Sequence, residues 1–148
     1  MKKLQLDQKV YEAMVNFQYL EFMLKGAIIQ FESIIARKVS DVMQYQVNDS
    51  KINKLGLSKL AELYSQYTGD NNFNKRINDI ISSRNRLAHV LFIKAEYLGD
   101  QKDIKLDDDI DEVLKHSMMA DNMADEVIMY MQNQYNPAEE DFEEILHK

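Results

Sequence analysis

Glycine and proline are scarce in this chain: its 148 residues include four glycines and one proline. These two residues interrupt helices and supply the tight turns that a many-stranded sheet needs at short intervals. Hydrophobic residues make up 45% of the chain and charged residues 29%, which is the ordinary balance of a folded globular domain. The sequence therefore predicts a single all-α domain that covers residues 1–148.

The spacing of apolar residues predicts where the helices lie. Between residues 6 and 48 there is no proline and one glycine, and apolar residues recur every three or four positions, as on one face of a helix. A second column, at multiples of seven residues, runs beside the first and has one charged member, Glu21. A stripe this wide predicts that the first helix contacts more than one neighbour. The first column is Val10, Ala13, Phe17, Leu20, Leu24, Ala27, Phe31 and Ile34, and the apolar members of the second are Met14, Ile28, Ile35 and Val42.

Three more long segments have helical periodicity, at 58–67, 73–97 and 108–134. Turn-forming residues separate them at 47–56, 68–72 and 98–109. Asn136 followed by Pro137 is typical of a cap and first turn, and predicts a short final helix. We therefore predict an antiparallel bundle of four main helices plus a short C-terminal helix.

Several classes of protein are disfavoured by the composition. The chain has no cysteine, which excludes disulfides, thiolate nucleophiles and cysteine-ligated zinc. His116 and His147 lack the partner spacing of a metal site, so we expect no metal and no cofactor. The longest apolar run, residues 22–29, is interrupted by Lys25 and is far shorter than the ~20 residues of a membrane span. No signal-peptide core follows the N-terminal lysines, and we predict a cytoplasmic protein without membrane contact.

The charge is unevenly distributed along the chain. The net charge is −7, yet residues 100–148 hold 15 acidic side chains against four lysines. Residues 75–94 carry five basic side chains against one aspartate. A polyanion would be repelled by the C-terminal third and accepted near 75–94. The alternative is that these charges are simply solvated helix faces.

The segment RNRLAH, residues 84–89, does not fit a plain apolar stripe. In the predicted helix 73–97, Arg84 occupies a position of the apolar column where a hydrophobic residue is expected. Asn85 and His89 are four residues apart and share a neighbouring face. A buried guanidinium is costly without a partner, so Arg84 must find a carboxylate, reach solvent or meet an anionic ligand. A purely structural role for this arginine is the alternative.

Arg84, Asn85 and His89 resemble the signature of the HEPN superfamily, an arginine followed after four to six residues by a histidine, often with a polar residue directly after the arginine. LEFMLKGAI at 20–28 resembles the E…LK run on the first long helix of these proteins, and LGLSKL at 55–60 resembles the start of their second. The resemblance covers residues 17–91. It implies a HEPN-like bundle that dimerises through its motif helices. It also implies a metal-independent endoribonuclease, in a defence or toxin–antitoxin setting, with an antitoxin or another regulatory protein as partner.

The chemistry of RNA cleavage suits these residue types. RNA carries its own nucleophile, the 2′-hydroxyl, so the protein has only to move protons and stabilise charge. An imidazole can act as acid or base near neutral pH, and a guanidinium binds phosphate oxygens through a planar fork of donors. Arg84 and His89 lie about 140° apart on a helix, with 3.6 residues per turn, so a two-fold dimer would be needed to build a composite site.

Four further residues are predicted to support this site. Arg86, Lys94 and Lys25 are candidates for substrate binding, although Arg86 could instead be a solvated charge. Glu21 is predicted to face Arg84 and orient it; the alternative is that Glu21 pairs with Lys25 one turn later. A different class of function also remains open, namely a catalytically silent helical module that binds a nucleotide or a protein partner through the same cleft.

Overall fold

The part of the chain that the structure describes contains five helices. A computed structural model describes the backbone of residues 2–96 and 103–146, and the side chains of residues 8–89 and 110–133. The helices are α1 (Lys2–Lys38), α2 (Asp49–Asn53), α3 (Leu57–Thr68), α4 (Asn71–Glu96) and α5 (Asp103–Leu146). Every regular element within the described backbone is a helix, which confirms the all-α prediction. No helix in these parts is long and apolar enough to cross a membrane.

The first helix lies at the centre of the fold. Each of the other four helices contacts α1, which confirms the prediction that its wide apolar stripe has more than one neighbour. Leu20, Leu24 and Ile28 are fully buried. Burying a side chain of this size stabilises the folded state by roughly 1.5–3 kcal/mol, so this stripe organises the core.

Helix α1 ends before Val42, the last member of the predicted apolar columns. It stops at Lys38, and Val42 and Met43, which continue the apolar pattern, are exposed. Within the described part of the chain nothing buries these two side chains, so burial does not hold the chain helical there. The predicted turn at 47–56 instead contains α2, whose Asn48 side chain accepts a hydrogen bond from the Lys51 N–H and whose Ile52 is buried.

The predicted turn at 68–72 is present and joins α3 to α4. Gly69 ends α3 in the left-handed conformation, with φ of 77°, and its N–H donates to the Ser65 carbonyl. The Asp70 carboxylate accepts hydrogen bonds from the N–H groups of Asn72 and Phe73. These bonds satisfy donors that the first turn of α4 would otherwise leave unpaired.

Gly69 and Gly26 should respond to alanine in opposite directions. Alanine at Gly69 must adopt the left-handed conformation, which costs about 1–2 kcal/mol for a residue with a Cβ. At Gly26, inside α1, an added Cβ meets no atom within 4 Å, and alanine favours a helix by about 1 kcal/mol over glycine. We expect urea unfolding to show a lower free energy of unfolding for Gly69→Ala and a higher one for Gly26→Ala. Equal changes would contradict the assigned backbone conformations.

The predicted division near Pro137 is wrong, because α5 continues through this residue to Leu146. Proline removes only its own N–H bond and strains one carbonyl in the preceding turn. One such defect did not end a helix whose flanking residues favour helix formation. The start of α5 also differs: it begins at Asp103, five residues before the predicted start, while residues 97–102 lie outside the described part.

Two ion pairs show in which directions α4 and α5 run relative to each other. Arg76 binds Glu126 and Arg86 binds Glu112, so the partner numbers fall along α5 as they rise along α4. These two helices therefore run in opposite directions.

Helices α1 and α5 run in the same direction. Lys9 binds Asp111, and Asn16 hydrogen-bonds to Ser117, so partner numbers rise together along the pair. The antiparallel arrangement that the sequence predicts does not hold for these two helices. The physical reason is that α4 reverses the chain between them, which leaves its two neighbours parallel.

Candidate functional site

Helix α4 carries the RNRLAH segment and buries one face against the bundle. Phe73, Ile77, Ile80 and Leu87 are buried, as the apolar column predicts. Their burial fixes the rotation of α4 about its axis. The residues on its other faces are therefore presented in defined directions.

Arg84 lies at the junction of α4 with α1 and pairs with Glu21. Its Nη2 atom is 3.4 Å from Oε2 of Glu21, which confirms that these two residues face each other. Lys25 Nζ is 3.7 Å from the other carboxylate oxygen, so the pairing considered as the alternative also exists. The Glu21 side chain is 18% exposed and that of Arg84 is 43% exposed. Glu21 therefore holds one side of the guanidinium while another side remains accessible to an anion.

A small cavity adjoins Arg84 between α1 and α4. Its volume is about 180 Å³, below the ~300–1,000 Å³ of pockets that enclose drug-sized ligands. An anionic group could approach Arg84 here, whereas a whole nucleotide would not be enclosed. The cavity is lined by Met14, Phe17, Gln18, Arg84, Leu87 and Ala88.

Asn85 and His89 lie on the outer face of α4 and are exposed. Asn78 and Ser82 are exposed as well, and the spacing of these four residues places them in one polar stripe along the helix. The prediction that His89 is not sealed in the core is confirmed. The two cavities described between α1 and α4 and between α1 and α5 do not include His89, and its position at the bottom of a cleft stays a prediction.

One chain does not bring Arg84 and His89 to a common point. Five residues of helix separate them, which corresponds to a rotation of about 140°. Arg84 is directed to α1 through Glu21, whereas His89 points outward. Any chemistry that uses both groups on one phosphate needs a second copy of α4.

The three predicted substrate-binding residues have different surroundings. Arg86 Nη1 is 3.0 Å from Glu112 on α5, on the flank of α4 away from α1. Lys25 belongs to the Glu21 ion pairs beside Arg84. The side chain of Lys94 lies outside the described residues. Their roles in substrate binding remain predictions.

The sequence analysis missed a polar contact directly beside the segment. The buried hydroxyl of Ser83 hydrogen-bonds with Nδ1 of His116 on α5. On the same helix the buried Ser117 hydroxyl donates to the Leu114 carbonyl and accepts from the Asn16 amide. In the sequence, the polar residue Ser117 interrupts the apolar stripe of α5. This interruption was the signal that could have indicated a polar contact on the buried side of α5. The Ser83–His116 bond ties the turn that carries Arg84 to α5, and the Asn16–Ser117 bond joins α1 to α5.

Among the described residues, no group of three or more His, Asp or Glu side chains is placed to hold a metal ion. Comparisons of the chain with protein-family models, with curated proteins and with solved structures found no match.

Proposed function

We propose that the chain is a metal-independent endoribonuclease of HEPN type, which acts as a homodimer with a composite site between two α4 helices. The observation that carries the proposal is the exposure of the motif residues to solvent. Asn85 and His89 are exposed on the outer face of α4, and Arg84 is held by Glu21 with 43% of its side chain exposed. The exposed part of the Arg84 guanidinium is available to a phosphate oxygen.

The proposed reaction uses the 2′-hydroxyl of RNA as the nucleophile. His89 of one copy accepts the proton of this hydroxyl as its oxygen attacks the adjacent phosphorus. The bond to the 5′-oxygen breaks, and that oxygen takes a proton from the partner's His89. The products are a 2′,3′-cyclic phosphate and a 5′-hydroxyl. Arg84 binds a non-bridging oxygen and stabilises the charge that develops in the transition state.

The character of the α4 surface indicates how the two copies would meet. The large exposed hydrophobic side chains of the described residues lie outside α4, and the outer stripe of α4 consists of Asn78, Ser82, Asn85 and His89. Apolar burial would contribute little to pairing of such faces. We propose that RNA bridges them, with a phosphate bound by the accessible side of Arg84 in each copy. A cytoplasmic location, a defence or toxin–antitoxin setting and a regulatory protein partner belong to the same proposal.

Incubation with mixed-sequence RNA in excess EDTA tests the activity. We expect cleavage with 2′,3′-cyclic phosphate ends, because no step requires a metal ion. An oligonucleotide with a single 2′-deoxyribose at the cleaved position is the matched control and should remain intact at that position. RNA that is bound but left intact would contradict the proposal and support the silent binding module. The observation that favours a silent binding module is that Arg84 already has a carboxylate partner in Glu21.

A further inference from the structure

Among the described side chains of the long helices, the large exposed hydrophobic residues lie on α1 and α5. Tyr11, Val15 and Phe22 are exposed on α1, and Met118 and Met129 are exposed on α5. Four and seven residues separate the three on α1, and eleven separate the two methionines. These spacings place each set along one side of its helix. The fold therefore leaves an apolar strip uncovered on each of two neighbouring helices.

A groove between α1 and α5 adjoins the α1 strip at Phe22. Its volume is about 320 Å³, and its lining includes Phe22, Gly26, Gln30, Ile128 and Gln132. Met129 is three residues before Gln132, so the two side chains are neighbours on the surface of α5. We call the groove and the two strips the α1/α5 surface.

Gly26 opens the groove on the side of α1. A glycine inside a helix costs about 1 kcal/mol relative to alanine. Its φ is not positive, and an added Cβ would meet no atom within 4 Å apart from the neighbouring residues and backbone of its own helix. Neither the backbone conformation nor the internal packing requires glycine at this position. The missing side chain instead leaves space for a group that approaches from outside.

We infer that a second copy of this chain covers the α1/α5 surface. The surface combines protruding apolar side chains, with Phe22 68% and Met129 63% exposed, and a recess that could receive apolar groups. A two-fold dimer needs both on one patch, because each copy presents the same residues to the other. A partner of a different sequence would not require both features together.

The size of the surface suits a dimer. The strip from Tyr11 to Gln30 spans nineteen residues of α1, about 28 Å at 1.5 Å per residue. Two helix diameters give a width of about 20 Å. The projected area is on the order of 560 Å² per copy, close to the ~600 Å² per partner of the smallest specific, stable interfaces.

The charges near this surface have both signs, although the chain has a net charge of −7. The side of α5 that carries Met118 and Met129 also carries Lys115 and Asp125. Asp111 on the same side binds Lys9. The contact involves no residue of α4, so a dimer formed through it leaves Asn85 and His89 of both copies open to RNA.

Sedimentation equilibrium of the full chain without RNA tests the inference. At micromolar concentration we expect twice the monomer mass of 17.4 kDa. Phe22→Glu places a charge in the contact, and Gly26→Leu fills the groove, so each should raise the dimer Kd at least tenfold. Gly26→Leu should also raise the thermal stability of the monomer, so that unfolding cannot explain the weaker association. Val42→Glu, at a residue 86% exposed outside the surface, is the control and should leave the Kd unchanged.

Two results would overturn the inference. One is a wild-type chain that remains monomeric at about 100 μM, and the other is a dimer whose Kd neither Phe22→Glu nor Gly26→Leu changes. RNA cleavage is a separate readout. A dimer that Gly26→Leu weakens but that never cuts RNA would support this surface and contradict the proposed function. RNA cleavage by a chain that remains monomeric in sedimentation would support the proposed function and contradict this surface.

Discussion

We expect His89→Ala to lower the rate of RNA cleavage by a factor on the order of 10²–10⁴, the usual contribution of a positioned proton-transfer group. His89 is exposed on the outer face of α4, so its removal leaves no cavity in the core. The free energy of unfolding should therefore change by no more than about 0.5 kcal/mol, as for most surface substitutions. The measurements are single-turnover cleavage in EDTA and urea unfolding of the same preparations.

Asn78→Ala provides a matched control for His89→Ala. Asn78 lies eleven residues earlier on the same exposed stripe, and its amide cannot act as an acid or base near neutral pH. We expect Asn78→Ala to keep the wild-type cleavage rate within about threefold at saturating RNA, since it removes no group that transfers a proton. His89 would lose its catalytic assignment if its alanine variant unfolded or cut RNA at the wild-type rate.

Apolar periodicity predicted most of the buried side of α1. Val10, Leu20 and Leu24 lie in the core as the first column of α1 indicates. The same spacing could not show where α1 would end, because helix length depends on whether a neighbour covers the stripe. Val42 continues the pattern and has no such cover. Pro137 illustrates the opposite error, since a local rule predicted a break where α5 continues.

For the candidate site, sequence reasoning succeeded where charge interrupted an apolar pattern. Glu21 and Arg84 were the charged members of two facing columns, and the structure pairs them. The bond between Ser83 and His116 left no comparable signal, because it depends on how α4 and α5 pack. The apolar strip that includes Phe22 was missed for a related reason. Periodicity marks apolar columns but does not reveal which of them the chain itself will bury.

Arg84→Ala should reduce RNA cleavage by a factor on the order of 10²–10³, comparable to the loss of one donor that stabilises a developing oxyanion. The free energy of unfolding should fall only slightly. The Arg84 side chain is 43% exposed, and ion pairs at such sites contribute about 0–1 kcal/mol. Glu21 also keeps Lys25 as a partner, so the substitution does not leave an isolated carboxylate. Single-turnover kinetics and urea unfolding measure the two effects separately.

Arg86→Ala removes the same charge from the same helix turn and is the matched control for Arg84→Ala. Arg86 binds Glu112 on the flank facing α5, so we expect nearly unchanged cleavage. Equal losses in the two variants would indicate a general effect of positive charge and would contradict a specific role for Arg84.

Glu21→Gln tests the orientation of Arg84. If Glu21 acts only by holding this guanidinium, Glu21→Gln should lower cleavage in the wild type and have no further effect when combined with Arg84→Ala. An additional loss in the double variant would show that Glu21 contributes independently of Arg84.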